Sequence, residues 1–183
     1  MQGLTLPLVA TLLGASAWAV REDLLSHRIP NRLTGSLLCA GLALQFGFGS
    51  WNGLGHAAQG VLVGLLTLLP LHLLRAMGAG DVKLLAAIGS LLGPSCTLSA
   101  GIYTLIAGAV LALVYVAFEA LRAAALTADA PWPWRIYIAR ERAQQMRRER
   151  FPYALAIVIG AFASIAQRGD LQAMFNYLSG AAR

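Results

Sequence analysis

The chain has 183 residues, of which 58% are hydrophobic and only 12% are charged. Soluble domains are about half apolar and a quarter charged, so a simple soluble protein, a disordered chain and a coiled coil are excluded. The net charge is +6, but the positive residues form no stripe on a soluble fold, and we expect no nucleic-acid partner. The composition predicts an all-α polytopic membrane protein.

Six apolar runs are separated by short polar segments. They cover about residues 4–20, 33–48, 56–74, 82–92, 98–118 and 152–166. A spanning helix needs about 20 residues, so the fourth and sixth runs are short and would either tilt little or be shielded by neighbouring helices. No Lys or Arg precedes the first run, which we therefore interpret as a retained helix and not a signal peptide.

The basic residues predict an orientation for about six transmembrane helices. Twelve of the 14 Lys and Arg residues lie in the first, third and fifth loops. The positive-inside rule puts these loops in the cytoplasm and both termini outside it. We predict one membrane-embedded domain over residues 1–183, with a basic cytoplasmic loop at about 119–151. That loop is either a solvated connector or a membrane-surface segment with Trp132 and Trp134 at headgroup depth.

Cysteine and histidine give no sign of a metal site. Cys39 and Cys96 lie in apolar surroundings without Cys-x-x-Cys spacing, which predicts buried small residues. His72, near the end of the third run, is interpreted as an interface residue and not as a ligand. We therefore expect neither a metal nor another cofactor.

Three of the eight acidic residues, Glu22, Asp23 and Asp81, lie beside predicted spans. Acids so near hydrocarbon are costly, which favours a functional role. Asp81 belongs to the segment 78–83 (GAGDVK), whose glycines allow a sharp turn or a close backbone approach. The alternative for Asp81 is an ordinary N-cap.

Asp23 precedes Ile29, Pro30 and Asn31, which read as an extended turn before the second helix. The alternative for Asp23 is a short loop with ordinary charges. If Asp23 and Asp81 meet, they would share a proton, and one carboxylate would act as base toward water in amide hydrolysis. A proton-coupled transporter and an inactive assembly factor are the other classes of function that these acids fit.

Three stretches resemble the type IV prepilin peptidases and the archaeal preflagellin peptidases, membrane aspartic proteases of the Gly-x-Gly-Asp class. They are Asp23 followed after five residues by Ile29-Pro30-Asn31, the segment 78–83, and Phe151-Pro152-Tyr153-Ala154. The resemblance implies an endopeptidase of the bacterial inner membrane that cuts the basic leader from a prepilin at the cytoplasmic face.

The resemblance also implies roles for residues. Asp23 and Asp81 would be the catalytic dyad, with Glu22 as the rival for the first carboxylate. Lys83 would either bias the charge of the dyad or contact the substrate backbone. Residues that would bind substrate or shape the site are Gly78, Gly80, Lys83, Ile29, Pro30, Asn31, Pro152 and Tyr153.

The chain departs from the larger bacterial members of that family, which carry paired cysteines near the N-terminus and methylate the new pilin end. Here the first apolar run begins by residue 4, and Cys39 and Cys96 are not paired in spacing. We therefore expect no N-methyltransferase activity, no zinc and no S-adenosylmethionine. The short form is similar to the peptidases of tight-adherence (Flp) pilus systems.

Overall fold

The computed structural model describes residues 6–26, 30–75, 77–127 and 153–167, together with the single residues 131 and 140. The helices described are α1 (Leu6–Ser26), α2 (Asn31–Leu73), α3 (Ala79–Leu92), α4 (Pro94–Thr127) and α5 (Tyr153–Gln167). No strand occurs among the described residues. The predicted all-α fold class is confirmed.

Helix α2 consists of two arms, residues 31–49 and 51–73, that meet at Ser50. The φ of 51° and ψ of −139° at Ser50 are not helical. Gly53 lies so close to the carbonyl of Gln45 that a Cβ at this position would collide with it. In a straight helix these residues would be about 12 Å apart, so the second arm folds back on the first. The second and third apolar runs therefore form one helical hairpin.

Both arms of α2 pack on α3 through small residues. The close pairs are Gly41 with Ser90, Gly60 with Gly89 and Gly64 with Ala86. Small side chains let helix backbones approach closely, which increases van der Waals contact. The Gln45 side chain adds a buried hydrogen bond from Nε2 to the Leu91 carbonyl, at 2.9 Å. The hairpin is thus fixed on α3 along most of its length.

Helix α3 is buried, because every residue from 84 to 92 is in the core. Its 14 residues would be about 21 Å long, shorter than a hydrocarbon core of about 30 Å. Of the two alternatives for this short run, the structure therefore supports shielding by neighbouring helices. The start of α3 is more open, because Gly80 and Asp81 are partly buried while Ala79 and Lys83 are exposed.

Two helices extend beyond the apolar runs that predicted them. Helix α1 continues to Ser26, so Asp23 lies in its last turn and the loop alternative for Asp23 is wrong. Helix α4 continues to Thr127, where the polar loop was expected from residue 119. An ion pair one turn apart, from Arg122 to Glu119 at 3.6 Å, suits this helical extension. The rest of the predicted loop, except residues 131 and 140, lies outside the described residues.

The two cysteines differ, although both were predicted to be buried. Cys96 is buried, but Cys39 is exposed, and that part of the prediction is wrong. Cys39 lies between Leu37 and Gly41, whose side of α2 is buried, so its side chain points away from the core. An apolar neighbourhood in sequence did not distinguish a core-facing position from one on the outer face of the same helix.

Two helices, Asn31–Leu73 and Pro94–Ala125, are long and apolar enough to cross a membrane. Large apolar side chains are exposed along α4, such as Leu113 at 73% and Leu121 at 71%. A membrane protein fits these helices, while six spans and outside termini stay predictions. Contacts divide the chain into two compact units, Met1–Ala107 with Pro152–Arg183, and Gly108–Phe151. All residues of the candidate site belong to the first unit.

Candidate active site

Asp23 is a buried carboxylate at the start of another helix. Its side chain is 6% exposed, and its Oδ2 accepts a hydrogen bond from the backbone N–H of Ala154 at 3.0 Å. Ala154 is the second residue of α5, and the first N–H groups of a helix have no partner within it. The positive end of α5 therefore faces the carboxylate and interacts favourably with its negative charge.

The neighbouring acid, Glu22, is held elsewhere. Its carboxylate accepts hydrogen bonds from Trp18 Nε1 at 3.3 Å and from Arg21 at 3.2 Å. Arg21 and Trp18 are exposed, so these bonds lie on the outer side of α1. Asp23, by contrast, bonds the start of α5, which favours it as the first carboxylate.

Asp81 is the third residue of α3, and its carboxylate reaches back to Gly78. Gly78 precedes the helix in an extended conformation and is the N-cap residue, so Asp81 is not the N-cap itself but caps the helix from its third position. The Gly78 N–H donates a hydrogen bond to the Asp81 carboxylate, and the Asp81 N–H donates one to the Gly78 carbonyl at 3.2 Å. A Cβ on Gly78 would lie 3.2 Å from Asp81 Oδ2, a crowded distance that glycine avoids.

The electrostatics of Asp81 connect it to Asp23. Asp81 precedes the apolar run 82–92 and so lies outside the predicted span. The pKa of Asp81 is raised from 3.8 to about 6, first by burial and then by the negative charge of Asp23, while the Gly78 hydrogen bond opposes both effects. The two carboxylates are therefore near enough to interact, and a pair of this kind retains a proton to higher pH than separate acids do.

The start of α5 lies beside both aspartates. Ala154 binds Asp23, and the negative charge of Asp81 acts on the Tyr153 hydroxyl. The structure thus brings Asp23, Asp81 and Tyr153 together from the three stretches singled out in sequence. Gly80 is the second residue of α3 and is partly buried. Ile29 and Pro152 lie outside the described residues.

The remaining predicted residues form a second contact between motifs. Pro30 is extended, with φ −63° and ψ 135°, as predicted, but Asn31 is already the first residue of α2, so its placement in the turn is wrong. Lys83 Nζ donates a hydrogen bond to Asn31 Oδ1 at 3.1 Å. No ion pair joins Lys83 to either aspartate in the part of the chain that the structure describes. Lys83 therefore contacts Asn31 directly and not the pair of acids.

Two hydrogen-bonding groups near the aspartates were missed in the sequence. One is the Ala154 N–H, which the start of an apolar run just after Pro152 could have indicated, since first-turn N–H groups are available as donors. The other is His72, whose Nδ1 donates to the Met77 carbonyl at 3.1 Å. This bond holds the residue before Gly78, so His72 is more than the interface residue that was predicted.

The described residues contain no group of three or more His, Cys, Asp or Glu side chains arranged to hold a metal ion. The groups that the structure does bring together are two carboxylates, a phenol and backbone N–H donors. Such groups exchange protons and bind water. The arrangement fits acid–base chemistry on a water molecule.

Residues 8–117 match the family model described as the type IV leader peptidase family. The chain belongs to that family. The predicted family is therefore confirmed, and the protein is a peptidase of a membrane-embedded family. The match includes the first two of the three stretches and ends before the third. No curated protein and no solved structure gave a significant match. The matched part contains both aspartates, whose individual roles stay predictions.

Proposed function

We propose that the protein is a membrane-embedded aspartic endopeptidase that removes the basic leader from type IV-like prepilins. Cleavage takes place at the cytoplasmic face of the bacterial inner membrane, with Asp23 and Asp81 as the catalytic dyad. The observation that carries the proposal is the pair of interacting carboxylates, one bonded to the start of α5 and the other to Gly78. Membership of the leader peptidase family supports the reaction class and prepilins as the general substrate.

The raised pKa of Asp81 suggests different chemical roles for the two acids. Asp23, facing the Ala154 N–H, takes a proton from water as the oxygen bonds to the scissile carbonyl carbon. Protonated Asp81 donates a hydrogen bond to the carbonyl oxygen, which acquires negative charge. When the C–N bond breaks, Asp23 returns its proton to the leaving amine, and the two carboxyl groups regain their starting state.

The substrate geometry agrees with this location. A prepilin carries a basic leader in the cytoplasm and an apolar helix in the bilayer, so the bond to be cut lies at the membrane border. The predicted orientation puts the ends of α1 and α3 that carry the aspartates at that border. We propose no methyl transfer and no metal or S-adenosylmethionine. We assign the chain to the short peptidases of tight-adherence (Flp) systems on its resemblance to them.

Cleavage of a co-expressed prepilin tests the dyad, with the shorter product read as a mobility shift. Asp23→Asn and Asp81→Asn should each lower the rate by about 10²–10⁴-fold, since each removes a general acid or base. Glu22→Gln is the matched control, because it changes the adjacent acid and should cut at the wild-type rate. All three proteins must reach the membrane in similar amounts.

Retention of cleavage by either aspartate variant would remove that residue from the dyad. If Glu22→Gln loses cleavage and Asp23→Asn retains it, Glu22 and not Asp23 is the general base. If the wild-type enzyme leaves the prepilin intact, the proposed substrate is wrong.

A further inference from the structure

A groove separate from the two aspartates opens between the arms of α2 and over α3. Its volume is about 260 Å³, and both arms and α3 contribute to its lining. Leu38, Val61 and Leu65 supply apolar wall, and Gly35 contributes no side chain. The polar lining includes Asn31 and Lys83, which are bonded to each other. The groove is therefore an apolar channel with a cationic end.

The shape and lining of the groove suit a hydrocarbon chain. From Asn31 to Leu38 the first arm of α2 rises by about 10 Å, so the groove follows the helix for about that length. Its lining along this length is mostly apolar, and a flexible acyl chain can follow it.

The positive charge at the end of the groove favours a negatively charged occupant. Lys83 is exposed and is the charged residue of the lining, which contains no acid. Its ammonium group has three donors, and one bonds Asn31 among the described residues. Phosphate is an anion that a lysine binds well, whereas a basic peptide is repelled.

We propose that this groove binds an anionic phospholipid of the surrounding membrane, with one acyl chain between the arms of α2 and the phosphate on Lys83. The inference rests on the proposed membrane location and not on the proposed peptidase activity. Because Lys83 also bonds Asn31, a bound lipid would brace the contact between α3 and the start of α2. This contact lies two residues along α3 from Asp81.

Native mass spectrometry of the full chain in detergent tests the site, with dioleoyl phosphatidylglycerol and dioleoyl phosphatidylcholine as probes. The wild type should bind phosphatidylglycerol about ten-fold more tightly than phosphatidylcholine. Gly35→Leu should weaken phosphatidylglycerol binding by about ten-fold or more, because the new side chain fills the groove. A Cβ at Gly35 meets nothing within 4 Å, so the substitution does not disturb helix packing.

The chain offers matched controls for both parts of the site. A Cβ at Gly47 also meets nothing within 4 Å, and Gly47 does not line the groove, so Gly47→Leu should bind lipid as the wild type does. Lys83→Met keeps the apolar stem and should abolish the preference for phosphatidylglycerol. Arg75→Met removes an exposed cation outside the groove and should leave that preference intact.

Equal binding by wild type and Gly35→Leu would overturn the proposal, as would an unchanged preference in Lys83→Met. Displacement of the lipid by an apolar helical peptide would show that the groove is a protein-binding site, which also contradicts it. Asp81→Asn should bind lipid normally while failing to cut prepilin. Lipid binding without cleavage by the wild type would contradict the proposed function and leave this inference standing.

Discussion

The two ends of the α2 hairpin have opposite chemistry. At the tip, beside Ser50, Phe46 and Trp51 pack edge to face, with ring centroids 5.7 Å apart, and Trp51 is 77% exposed. No Asp, Glu, Lys or Arg occurs from residue 33 to 74. The other end carries the Asn31–Lys83 and His72–Met77 hydrogen bonds. One turn thus exposes aromatic surface, while the opposite end fixes polar groups by hydrogen bonds.

This difference indicates where the hairpin can support chemistry. Catalytic groups act best when their neighbours hold them before substrate arrives. At the polar end, His72 forms a hydrogen bond with Met77, Gly78 with Asp81, and the start of α5 with Asp23. The aromatic tip has rings that suit a membrane interface and no acid or base. Substitutions at the polar end should therefore affect cleavage, and substitutions at the tip should not.

The largest effect that we predict outside the dyad itself comes from a single backbone donor. Ala154→Pro deletes the N–H that binds Asp23, and proline is tolerated in the first turn of a helix. A hydrogen bond to a charged group is worth about 1.5–3 kcal/mol, so kcat/KM for prepilin cleavage should fall by about 10- to 100-fold.

Leu155→Pro is the matched control for that variant. It also removes a first-turn N–H from α5, at a half-exposed position, and this N–H is not the one that binds Asp23. It should cut within about three-fold of the wild type. Equal losses in the two proline variants would mean that the start of α5 matters for folding and not for Asp23. Melting temperatures measured in the same detergent separate these outcomes.

A smaller effect, on stability, follows from the raised pKa of Asp81. The pKa is 3.8 in the unfolded chain and about 6 in the fold, so the folded state binds the proton more tightly. The stability that this proton contributes is complete below pH 3.8 and is lost as the pH rises through about 6. Asp81→Asn has no charge to bury, so its melting temperature should exceed the wild-type value by roughly 5–10 °C at pH 8.

The pH dependence distinguishes this effect from a general change in packing. At pH 4 the wild-type carboxyl is largely protonated, and the two melting temperatures should be within about 1 °C. Gly80→Ala, one residue earlier on α3, should give a difference from the wild type that does not vary with pH. If the Asp81→Asn difference is also constant from pH 4 to 8, the carboxylate is not destabilised by burial.

Much of the helical arrangement followed from the sequence, because apolar runs of sufficient length form helices. Except for Leu74 at the end of the third run, each of the six runs is helical over its described residues, and Pro30 is extended as predicted. The fold back at Ser50 was expected only as a loop between runs. The ends of α1 and α4 were misjudged because both helices continue past charged residues, and apolar run length alone does not report where a helix stops.

The site was partly predictable because three short motifs named most of its residues. That Asp23 and Asp81 interact required the packing of α1, α3 and α5, which no local pattern contains. The Ala154 N–H is a backbone group, so the type of residue at this position does not reveal its role. The Lys83 bond to Asn31 joins residues 52 positions apart, so no local pattern could have indicated it.

The smallest effect that we predict concerns the aromatic tip. Trp51→Ala removes the edge-to-face contact with Phe46, and such pairs contribute about 0.5–1.5 kcal/mol. The melting temperature should fall slightly, while kcat/KM stays within about two-fold, because no polar group of the site touches the tip in the described residues. Phe48→Ala, an exposed aromatic at the same turn that is not in the Phe46–Trp51 pair, should change neither quantity. A ten-fold loss of cleavage in Trp51→Ala with normal stability would mean that the two ends of the hairpin are coupled, most directly through the α2–α3 packing at Gly60 and Gly89.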